Sequence, residues 1–218
     1  MTDDPDQNKK KPDASHDASR RRFLKGVGIA GAGAAFADNL LIEVDAKETQ
    51  TGTAQPLSGN VDVALNINGK RRTAKVEPRT TLLNTLRNNL DPPLTGPKLV
   101  CDVGTCGACT VLLDGKPVYS CLVLAVDARG KEITTVEGLG SPDALNGMQS
   151  AFVDKDALMC GFCTPGFVTT LSAYLKKNPS PTGLEVREAC KGNFCRCGTY
   201  PRIFEAALAA AKGGNSDE

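Results

Sequence analysis

Apolar and polar residues alternate in the stretch from Val61 to Ile67, which predicts a half-buried β-strand. Asn68-Gly69 predicts a two-residue hairpin turn, and residues 71–76 then form the return strand. Residues 80–87 predict a short helix with a threonine N-cap, which ends at Asp91-Pro92-Pro93. Three further strand segments follow along the chain: residues 110–113, 118–126 and 131–136.

The period of the pattern changes from that of strands to that of helices after residues 138–142, Gly-Leu-Gly-Ser-Pro. The first helical face is apolar at Ala144, Leu145, Met148, Ala151 and Phe152. Three more helices are predicted over residues 164–177, 184–189 and 200–212. The pattern therefore predicts an α+β fold with a β-grasp domain at 61–137, a small four-helix-bundle-like domain at 138–213 and a tail at 214–218.

Composition narrows the possible chemistry of the 218-residue chain. Its net charge is +1, only 5% of its residues are aromatic and it has no tryptophan, so nucleic acid is not expected as a partner. The single histidine, His16, lies in a polar N-terminal segment, which leaves few groups for acid–base catalysis near neutral pH. Nine cysteines are many for this length. The chemistry is therefore expected to belong to a cofactor or to another subunit.

Four cysteines form the first motif, C-x4-C-x2-C plus a later cysteine: Cys101, Cys106, Cys109 and Cys121. This spacing is typical of plant-type [2Fe–2S] sites and makes the first domain ferredoxin-like. Gly104 and Gly107 allow the loop to turn its amides toward the cluster sulfurs, and an Asp114-Gly115 turn returns the chain to deliver Cys121. A structural zinc site is the alternative, although zinc usually takes thiolates from paired C-x2-C units.

A second set of four cysteines lies in the helical half, as C-x2-C and C-x-C at two predicted helix starts: Cys160, Cys163, Cys195 and Cys197. Helix N-termini carry free N–H groups and partial positive charge, which suit an anionic cluster. We therefore predict a second [2Fe–2S] cluster here, with zinc or a disulfide pair as alternatives. Cys190 is left over and is interpreted as a small buried apolar residue rather than a ligand.

The N-terminal segment predicts export. Residues 1–18 are polar, and residues 19–25, Ser-Arg-Arg-Arg-Phe-Leu-Lys, match a twin-arginine signal. The apolar run at 26–36 is shorter than the roughly 20 residues of a membrane span, so none is expected, and it ends near a cleavage motif at 35–37. We therefore assign 1–37 to the signal and 38–60 to a linker. Periplasmic delivery of an already folded, cluster-loaded protein is expected, with a chance basic cluster as the alternative.

Three motifs together closely resemble the iron–sulfur subunit of the molybdenum hydroxylases: Cys-Gly-Ala-Cys-Thr-Val-Leu-Leu-Asp-Gly at 106–115, Cys-Gly-Phe-Cys-Thr-Pro-Gly at 160–166 and Asn-Phe-Cys-Arg-Cys at 193–197. That family includes xanthine dehydrogenases, carbon monoxide dehydrogenase, aldehyde oxidoreductases and isoquinoline oxidoreductase. The resemblance covers about residues 61–213. Residues 197–203, Cys-Gly-Thr-Tyr-Pro-Arg-Ile, and the export signal look most like the periplasmic aldehyde oxidoreductase and isoquinoline 1-oxidoreductase branch.

The resemblance implies an electron-transfer subunit that is not itself catalytic. The second cysteine set would lie next to the molybdopterin of a large partner subunit, and the first set farther out, toward an FAD-binding subunit or a cytochrome c. The family often has Gln before the first ligand of the second set, where this chain has Met159, so a hydrogen bond to the pterin is not expected. The overall reaction implied is oxidation of aldehydes to carboxylic acids. The alternatives are hydroxylation of an N-heterocycle of the isoquinoline or xanthine type, a free-standing two-cluster ferredoxin, or a zinc-stabilised interaction module.

Overall fold

The structure, a computed structural model, describes residues 56–213. The predicted signal at 1–37, most of the predicted linker at 38–60 and the tail at 214–218 lie outside these residues. The described part begins just before the first predicted strand, so both cysteine sets fall within it.

A hairpin opens the described chain. Strands β1 (Val61–Ile67) and β2 (Lys70–Val76) pair antiparallel, with Val61 opposite Val76. The predicted turn is confirmed, because both Asn68 (φ 51°) and Gly69 (φ 73°) adopt positive φ, as a two-residue turn of this kind requires. Val63, Leu65 and Ile67 face the core, which explains the alternating pattern of β1.

Three shorter strands complete a five-stranded sheet of order β2-β1-β5-β3-β4. They are β3 (Thr110–Leu113), β4 (Lys116–Tyr119) and β5 (Glu132–Thr134). β1 and β5 run parallel, while the β3–β4 hairpin closes through the predicted Asp114-Gly115 turn. Helix α1 (Leu82–Asn88) begins at Thr81, whose hydroxyl accepts a hydrogen bond from the Asn84 amide. Leu82 and Leu86 belong to the core of the β-grasp half, whereas Leu83 packs against Cys109 and Cys121.

The predicted strand over 118–126 is wrong beyond Tyr119. The β3–β4 ladder ends at the pair Thr110–Tyr119, since β3 is only four residues long and offers no further partner. The chain continues as two 3-10 turns at Ser120–Leu122 and Ala125–Ala128. Cys121 therefore lies on a tight turn beside the sheet rather than on a strand.

Four helices form the second half: α2 (Gly147–Asp154), α3 (Thr164–Leu175), α4 (Gly183–Cys190) and α5 (Tyr200–Gly213). The last three begin within a residue of their predicted starts. Helix α2 begins later than predicted because Asn146 caps it in a reciprocal capping box with Gln149. Ala144 and Leu145 precede the cap, and Leu145 is exposed rather than on the buried face.

The fold is α+β, as predicted. One apolar core lies between the sheet and α1, and a second lies among α2–α5, with Phe152, Phe167, Leu171 and Ile203 at its centre. Helix α3 contacts β3 and β4 and so joins the two halves. Among the described residues no helix is both long and apolar enough to cross a membrane.

Candidate metal centres

The first cysteine set comes together around the loop that joins α1 to β3. Cys101, Cys106 and Cys109 lie on this loop, and the 3-10 turn brings Cys121 to it. The sulfur atoms of Cys109 and Cys121 are 3.4 Å apart, and both residues are buried. Two thiolates on one tetrahedral metal with bonds near 2.3 Å are about 3.8 Å apart. This pair is therefore spaced to share a metal.

Main-chain amides of the loop point at these sulfur atoms, as its glycines predict. The Thr105 amide donates to the Cys101 sulfur at 3.4 Å, and the Gly104 amide donates to Cys121. Burial opposes ionisation of Cys101, but hydrogen bonds from the Thr105 side chain and from the Val103 and Thr105 amides lower its pKa to about 6. An anionic sulfur is thus stabilised before any metal is considered.

The other thiols of the first set lie close enough together to oppose one another's ionisation. Burial raises the pKa of Cys121 to about 11, and its hydrogen bond and repulsion with Cys109 contribute. Burial also raises the pKa of Tyr119, and the charges of all four cysteines of the set add to that rise. Such crowding is costly for free thiolates and is relieved when metal ions take up their charge.

The second cysteine set is assembled from two loops, one before α3 and one before α5. Cys160 and Cys163 lie on the first, where Cys163 is the N-cap residue of α3, and Cys195 and Cys197 lie on the second. The loops meet pairwise, since the Cys195 thiol raises the pKa of Cys163 and the thiols of Cys160 and Cys197 lie close enough to affect each other's ionisation. Cys195 is buried, whereas Cys160 and Cys197 are exposed, so this set opens to the surface.

The electrostatics of the second set repeat those of the first. Burial and the neighbouring Cys195 thiol raise the pKa of Cys163 to about 12. Burial opposes ionisation of Cys195, but hydrogen bonds from the Thr199 side chain and amide lower its pKa to about 7, and the Thr199 hydroxyl lies 3.1 Å from the sulfur. Each set thus contains one thiol whose pKa is lowered by hydrogen bonds and a neighbour whose pKa is raised by burial and by a nearby thiol.

The chemistry of both sets fits [2Fe–2S] clusters. The structure brings the thiols of each set together in pairs, Cys109 with Cys121 in the first set and Cys163 with Cys195 in the second. A structural zinc ion needs four ligands around a single point, whereas a [2Fe–2S] cluster divides four thiolates between two irons. In addition, the Thr164 hydroxyl, directly after Cys163, is buried without a protein partner. The structure brings each predicted set together, and the assignment of its members as iron ligands stays a prediction.

Cys190 lies apart from the two sets. It ends α4 and is only 2% exposed within the apolar core of the helical half. Burial alone raises the pKa of its thiol to about 12. These surroundings agree with its interpretation as a small buried apolar residue.

Each cysteine set is bordered by exposed apolar side chains. Leu158, Met159 and Phe162 flank Cys160 in the sequence and are exposed, and Met159 is 73% exposed. Four others border the first set and are each more than half exposed: Leu99, Val100, Val103 and Leu122. Met159 thus presents a thioether on this surface, where the resembling family often has an amide.

Several residues that shape the sites were not predicted. Thr105 and Thr199 donate to sulfur atoms, while Asn193 and Tyr119 bond across to the opposite loop. The only signal in the sequence for a role of Thr105, Thr199 and Tyr119 was that each lies close to a cysteine. Asn193 had a second signal, because it opens one of the three motifs. None of these residue types binds a metal cluster by itself, so spacing rules do not identify them.

Comparison with known proteins agrees with this arrangement. Residues 65–135 match the family described as 2Fe-2S iron-sulfur cluster binding domain, and residues 135–208 match the [2Fe-2S] binding domain family. The first match covers the sheet and the first cysteine set, and the second covers the helical half and the second set. Two consecutive [2Fe–2S] domains are therefore present.

Similar proteins share both domains. The nicotine 6-hydroxylase small subunit of Paenarthrobacter nicotinovorans is 51% identical over 70% of this chain and 91% of its own length. The aldehyde oxidoreductase iron-sulfur-binding subunit of Escherichia coli O157:H7 is 40% identical over 95% of each chain. In quinoline 2-oxidoreductase from Pseudomonas putida 86, one chain is 45% identical, with a TM-score of 0.68 over 74% of this chain and 99% of that chain.

A fourth comparison shows how such a unit occurs within a larger polypeptide. The aldehyde oxidoreductase from Desulfovibrio desulfuricans is 38% identical over 72% of this chain, with a TM-score of 0.68, yet the match covers only 17% of that longer chain. The motifs, the two domain matches and these relatives agree with the resemblance drawn from the sequence. The chain belongs to the iron–sulfur small subunits of the molybdenum hydroxylase family.

Proposed function

We propose that this chain carries electrons from the molybdopterin centre of a large partner subunit, through two [2Fe–2S] clusters, to an external acceptor in the periplasm. The observation that carries the proposal is the pair of four-cysteine sets, each placed beside its own exposed apolar rim. Contiguous exposed apolar side chains mark interaction sites on soluble proteins. Two such rims beside two sets suit an intermediate that receives electrons on one side and passes them on at the other.

Two observations support a partner subunit: this chain has a single histidine, and one of its relatives is a much longer polypeptide. The one histidine of this chain is His16, which lies in the polar N-terminal segment and outside both cysteine sets. This chain matches about a sixth of the Desulfovibrio aldehyde oxidoreductase. The functions of the rest of that polypeptide would be supplied here by separate subunits. An FAD-binding subunit or a cytochrome c would accept the electrons.

We propose an aldehyde as the substrate class, oxidised to the carboxylic acid. The support is the Escherichia coli O157:H7 aldehyde oxidoreductase subunit, whose similarity extends over 95% of this chain and so includes much of the N-terminal segment. An N-heterocycle is the second candidate, because the nicotine 6-hydroxylase subunit is 51% identical and a quinoline 2-oxidoreductase chain shares the fold.

The test is native purification followed by anaerobic addition of either an aldehyde or quinoline. We expect the chain to co-purify with a molybdopterin-containing subunit, and the aldehyde to produce electron paramagnetic resonance signals of reduced [2Fe–2S] clusters. If only quinoline produced the signals of reduced clusters, the substrate class would be an N-heterocycle instead of an aldehyde. A lone 22.9 kDa chain that retains both clusters would instead support a free-standing ferredoxin, and stoichiometric zinc would support the interaction module.

Export is tested separately. The twin-arginine motif at residues 19–25 supports periplasmic delivery of the loaded chain. Changing Arg20 and Arg21 together to Lys should leave the chain, and any partner without its own signal, in the cytoplasm. The matched control changes Lys9 and Lys10 to Arg, outside the motif, and should be exported normally. Unchanged periplasmic activity of the Arg20/Arg21 variant would remove the localisation.

A further inference from the structure

Two helices begin beside the second cysteine set, and both have a proline at their second position. Helix α3 begins with Thr164-Pro165, directly after Cys163, and α5 begins with Tyr200-Pro201, three residues after Cys197. A proline carries no N–H, so each helix has one main-chain donor fewer in its first turn. The two helix starts therefore provide fewer amide donors to a neighbouring anion than an ordinary helix N-terminus does.

A threonine accompanies the proline at each of these helix starts. Thr199 directly precedes α5, and its hydroxyl lies 3.1 Å from the Cys195 sulfur atom. Thr164 is the first residue of α3 and directly follows Cys163. Each loop that carries two cysteines of the second set therefore ends at a threonine hydroxyl, which is a hydrogen-bond donor that proline cannot provide.

The two hydroxyls differ in what they contact. The Thr199 hydroxyl has a cysteine sulfur as its neighbour, whereas the Thr164 hydroxyl oxygen is buried and has no hydrogen-bond partner in the part of the chain that the structure describes. The N-cap residue Cys163 makes no side-chain cap hydrogen bond either. A buried hydroxyl is destabilising when it is left unpaired. A partner beside Cys163 that is not a protein atom would remove that cost.

Two other buried hydroxyls on α3 provide a contrast. Those of Thr169 and Ser172 also have no hydrogen-bond partner among the described residues, and the two side chains are 0% and 9% exposed. At a helix rise of 1.5 Å per residue they lie about 7.5 Å and about 12 Å farther along α3 than Thr164. Of the three hydroxyls, only that of Thr164 belongs to a residue next to a cysteine of the second set.

We propose that the Thr164 hydroxyl donates a hydrogen bond to the second [2Fe–2S] cluster and, together with the Thr199 hydroxyl, raises the reduction potential of that cluster. The inference rests on the proposed function only in placing a [2Fe–2S] cluster at the second cysteine set. Reduction adds one electron and makes the cluster more negative, so a hydrogen-bond donor stabilises the reduced form more than the oxidised form. The proton stays on the Thr164 oxygen, and no covalent bond is made or broken.

Matched substitutions separate the hydroxyl from the shape of the side chain. Thr164→Val replaces the hydroxyl by a methyl group of similar size, whereas Thr164→Ser keeps the hydroxyl. Thr169→Val makes the identical change at a buried hydroxyl five residues farther along the same helix. Thr199→Val removes the hydroxyl beside Cys195 and so identifies which electron paramagnetic resonance signal belongs to the second cluster. Iron and acid-labile sulfide analysis identifies the variants that retain both clusters.

The measurement is a potentiometric titration of the purified protein, in which the reduction of each cluster is followed by electron paramagnetic resonance. We expect Thr164→Val to lower the midpoint potential of the same signal that Thr199→Val shifts, and to leave the other signal unchanged. Thr164→Ser and Thr169→Val should match the unmodified protein. An unchanged midpoint potential in Thr164→Val with both clusters present would overturn the proposal, because the hydroxyl would then bond elsewhere, for example to a buried water molecule.

A second measurement detects the hydrogen bond itself. After exchange into D2O and reduction by dithionite, electron–nuclear double resonance reports the deuterons close to the reduced cluster. We expect the second cluster of Thr164→Val to have one strongly coupled deuteron fewer than that of the unmodified protein, whereas Thr169→Val should retain it. The same number of coupled deuterons in Thr164→Val and in the unmodified protein would contradict a bond from this hydroxyl.

Thr164→Ala replaces Thr164→Val if the valine variant loses a cluster. Thr164→Ala should then have the lowered potential and Thr164→Ser the unmodified one, and equal potentials in these two variants would overturn the proposal. Neither measurement uses a substrate or a molybdenum centre. Failure of the proposed function would appear as clusters that neither an aldehyde nor a heterocycle reduces, whereas failure of this inference would appear as a second cluster whose potential does not depend on the Thr164 hydroxyl.

Discussion

Cys190 is the residue whose role is most sharply separated from that of the other cysteines. It is 2% exposed in the apolar core, and burial alone raises its pKa. We expect Cys190→Ser to retain both clusters and to lose about 1–2 kcal/mol of stability, because a hydroxyl would be buried without a partner. Cys190→Ala, the control, should lose less. Iron analysis, electron paramagnetic resonance and urea unfolding check this, and loss of one cluster signal would make Cys190 a ligand.

Gly107 and Gly115 form a matched pair with the same backbone conformation in different surroundings. Their φ angles are +68° and +74°, but an added Cβ overlaps the Gly192 carbonyl only at Gly107 and meets open space at Gly115. We expect Gly115→Ala to cost about 1–2 kcal/mol through its backbone conformation alone. Gly107→Ala should cost a further 1–3 kcal/mol or so through overpacking.

Urea unfolding, followed by circular dichroism with the visible absorbance of the clusters recorded in parallel, checks the pair. Equal losses in the two variants would mean that the close contact at Gly107 contributes nothing to stability. We expect an effect on cluster absorbance only in Gly107→Ala, because Gly107 lies between Cys106 and Cys109 whereas Gly115 lies in the β3–β4 turn.

At the residue scale, the sequence was sufficient to group eight of the nine cysteines into two sets, while their role as iron ligands and the exclusion of Cys190 from that role stay predictions. Thiols in a fixed spacing report a ligand set directly, since few other structures require it. The donors at Thr105 and Thr199 could not be predicted, because threonine beside a cysteine is equally compatible with a solvent-exposed loop. Their role depends on the loop conformation that turns each hydroxyl and amide toward a sulfur atom.

At the element scale, helix α4 leads directly into the loop that carries Cys195 and Cys197, and it depends on its N-cap. The Thr182 hydroxyl accepts from the Glu185 amide, while the Glu185 carboxylate accepts from the Thr182 amide and hydroxyl. We expect Thr182→Ala to cost about 1 kcal/mol, because the amides of the first turn lose their acceptor. Thr182→Ser keeps the acceptor and should be nearly neutral.

Urea unfolding of the two Thr182 variants checks this prediction, with iron content as a second measurement. Both clusters should be retained, since the cap is exposed and lies at the far end of α4 from Cys190. Equal stability of the Ala and Ser variants would show that the cap contributes nothing.

Elements with their own local signals were predicted well, and those that depend on distant partners were not. The hairpin turns at Asn68-Gly69 and Asp114-Gly115 are specified by residues that accept positive φ. The strand expected through Cys121 failed because its continuation needed a partner, and β3 ends too early to provide one. The start of α2 was displaced by the Asn146 cap, a local signal that the apolar pattern at Ala144 and Leu145 obscured.

At the scale of the whole molecule, the relation between the two cysteine sets is a tertiary property. Gly107 and Asn193 are 86 positions apart in the sequence, yet their hydrogen bond fixes one loop against the other. No periodicity or spacing in a single sequence specifies such a contact. The sequence also could not predict the two exposed apolar rims, because an apolar residue in a loop can be either buried or exposed in the folded protein.

The arrangement predicts that the two clusters act in series. Cys197→Ser alters the second set and Cys121→Ser alters the first, in each case replacing a soft thiolate by a harder oxygen ligand that perturbs or removes the cluster. In Cys121→Ser, substrate should still reduce the second cluster, but turnover with the natural acceptor should collapse. In Cys197→Ser, electrons should not reach the first cluster at all.

Anaerobic addition of substrate to each assembled complex, followed by electron paramagnetic resonance, checks the order. Cys190→Ser serves as the control, because it makes the same chemical change at a cysteine outside both sets. Substrate-driven reduction of the first cluster in a Cys197→Ser complex that lacks the second would contradict the series order. Electrons would then enter the chain at both rims, and the division of roles between the sheet and the helical half would have to be abandoned.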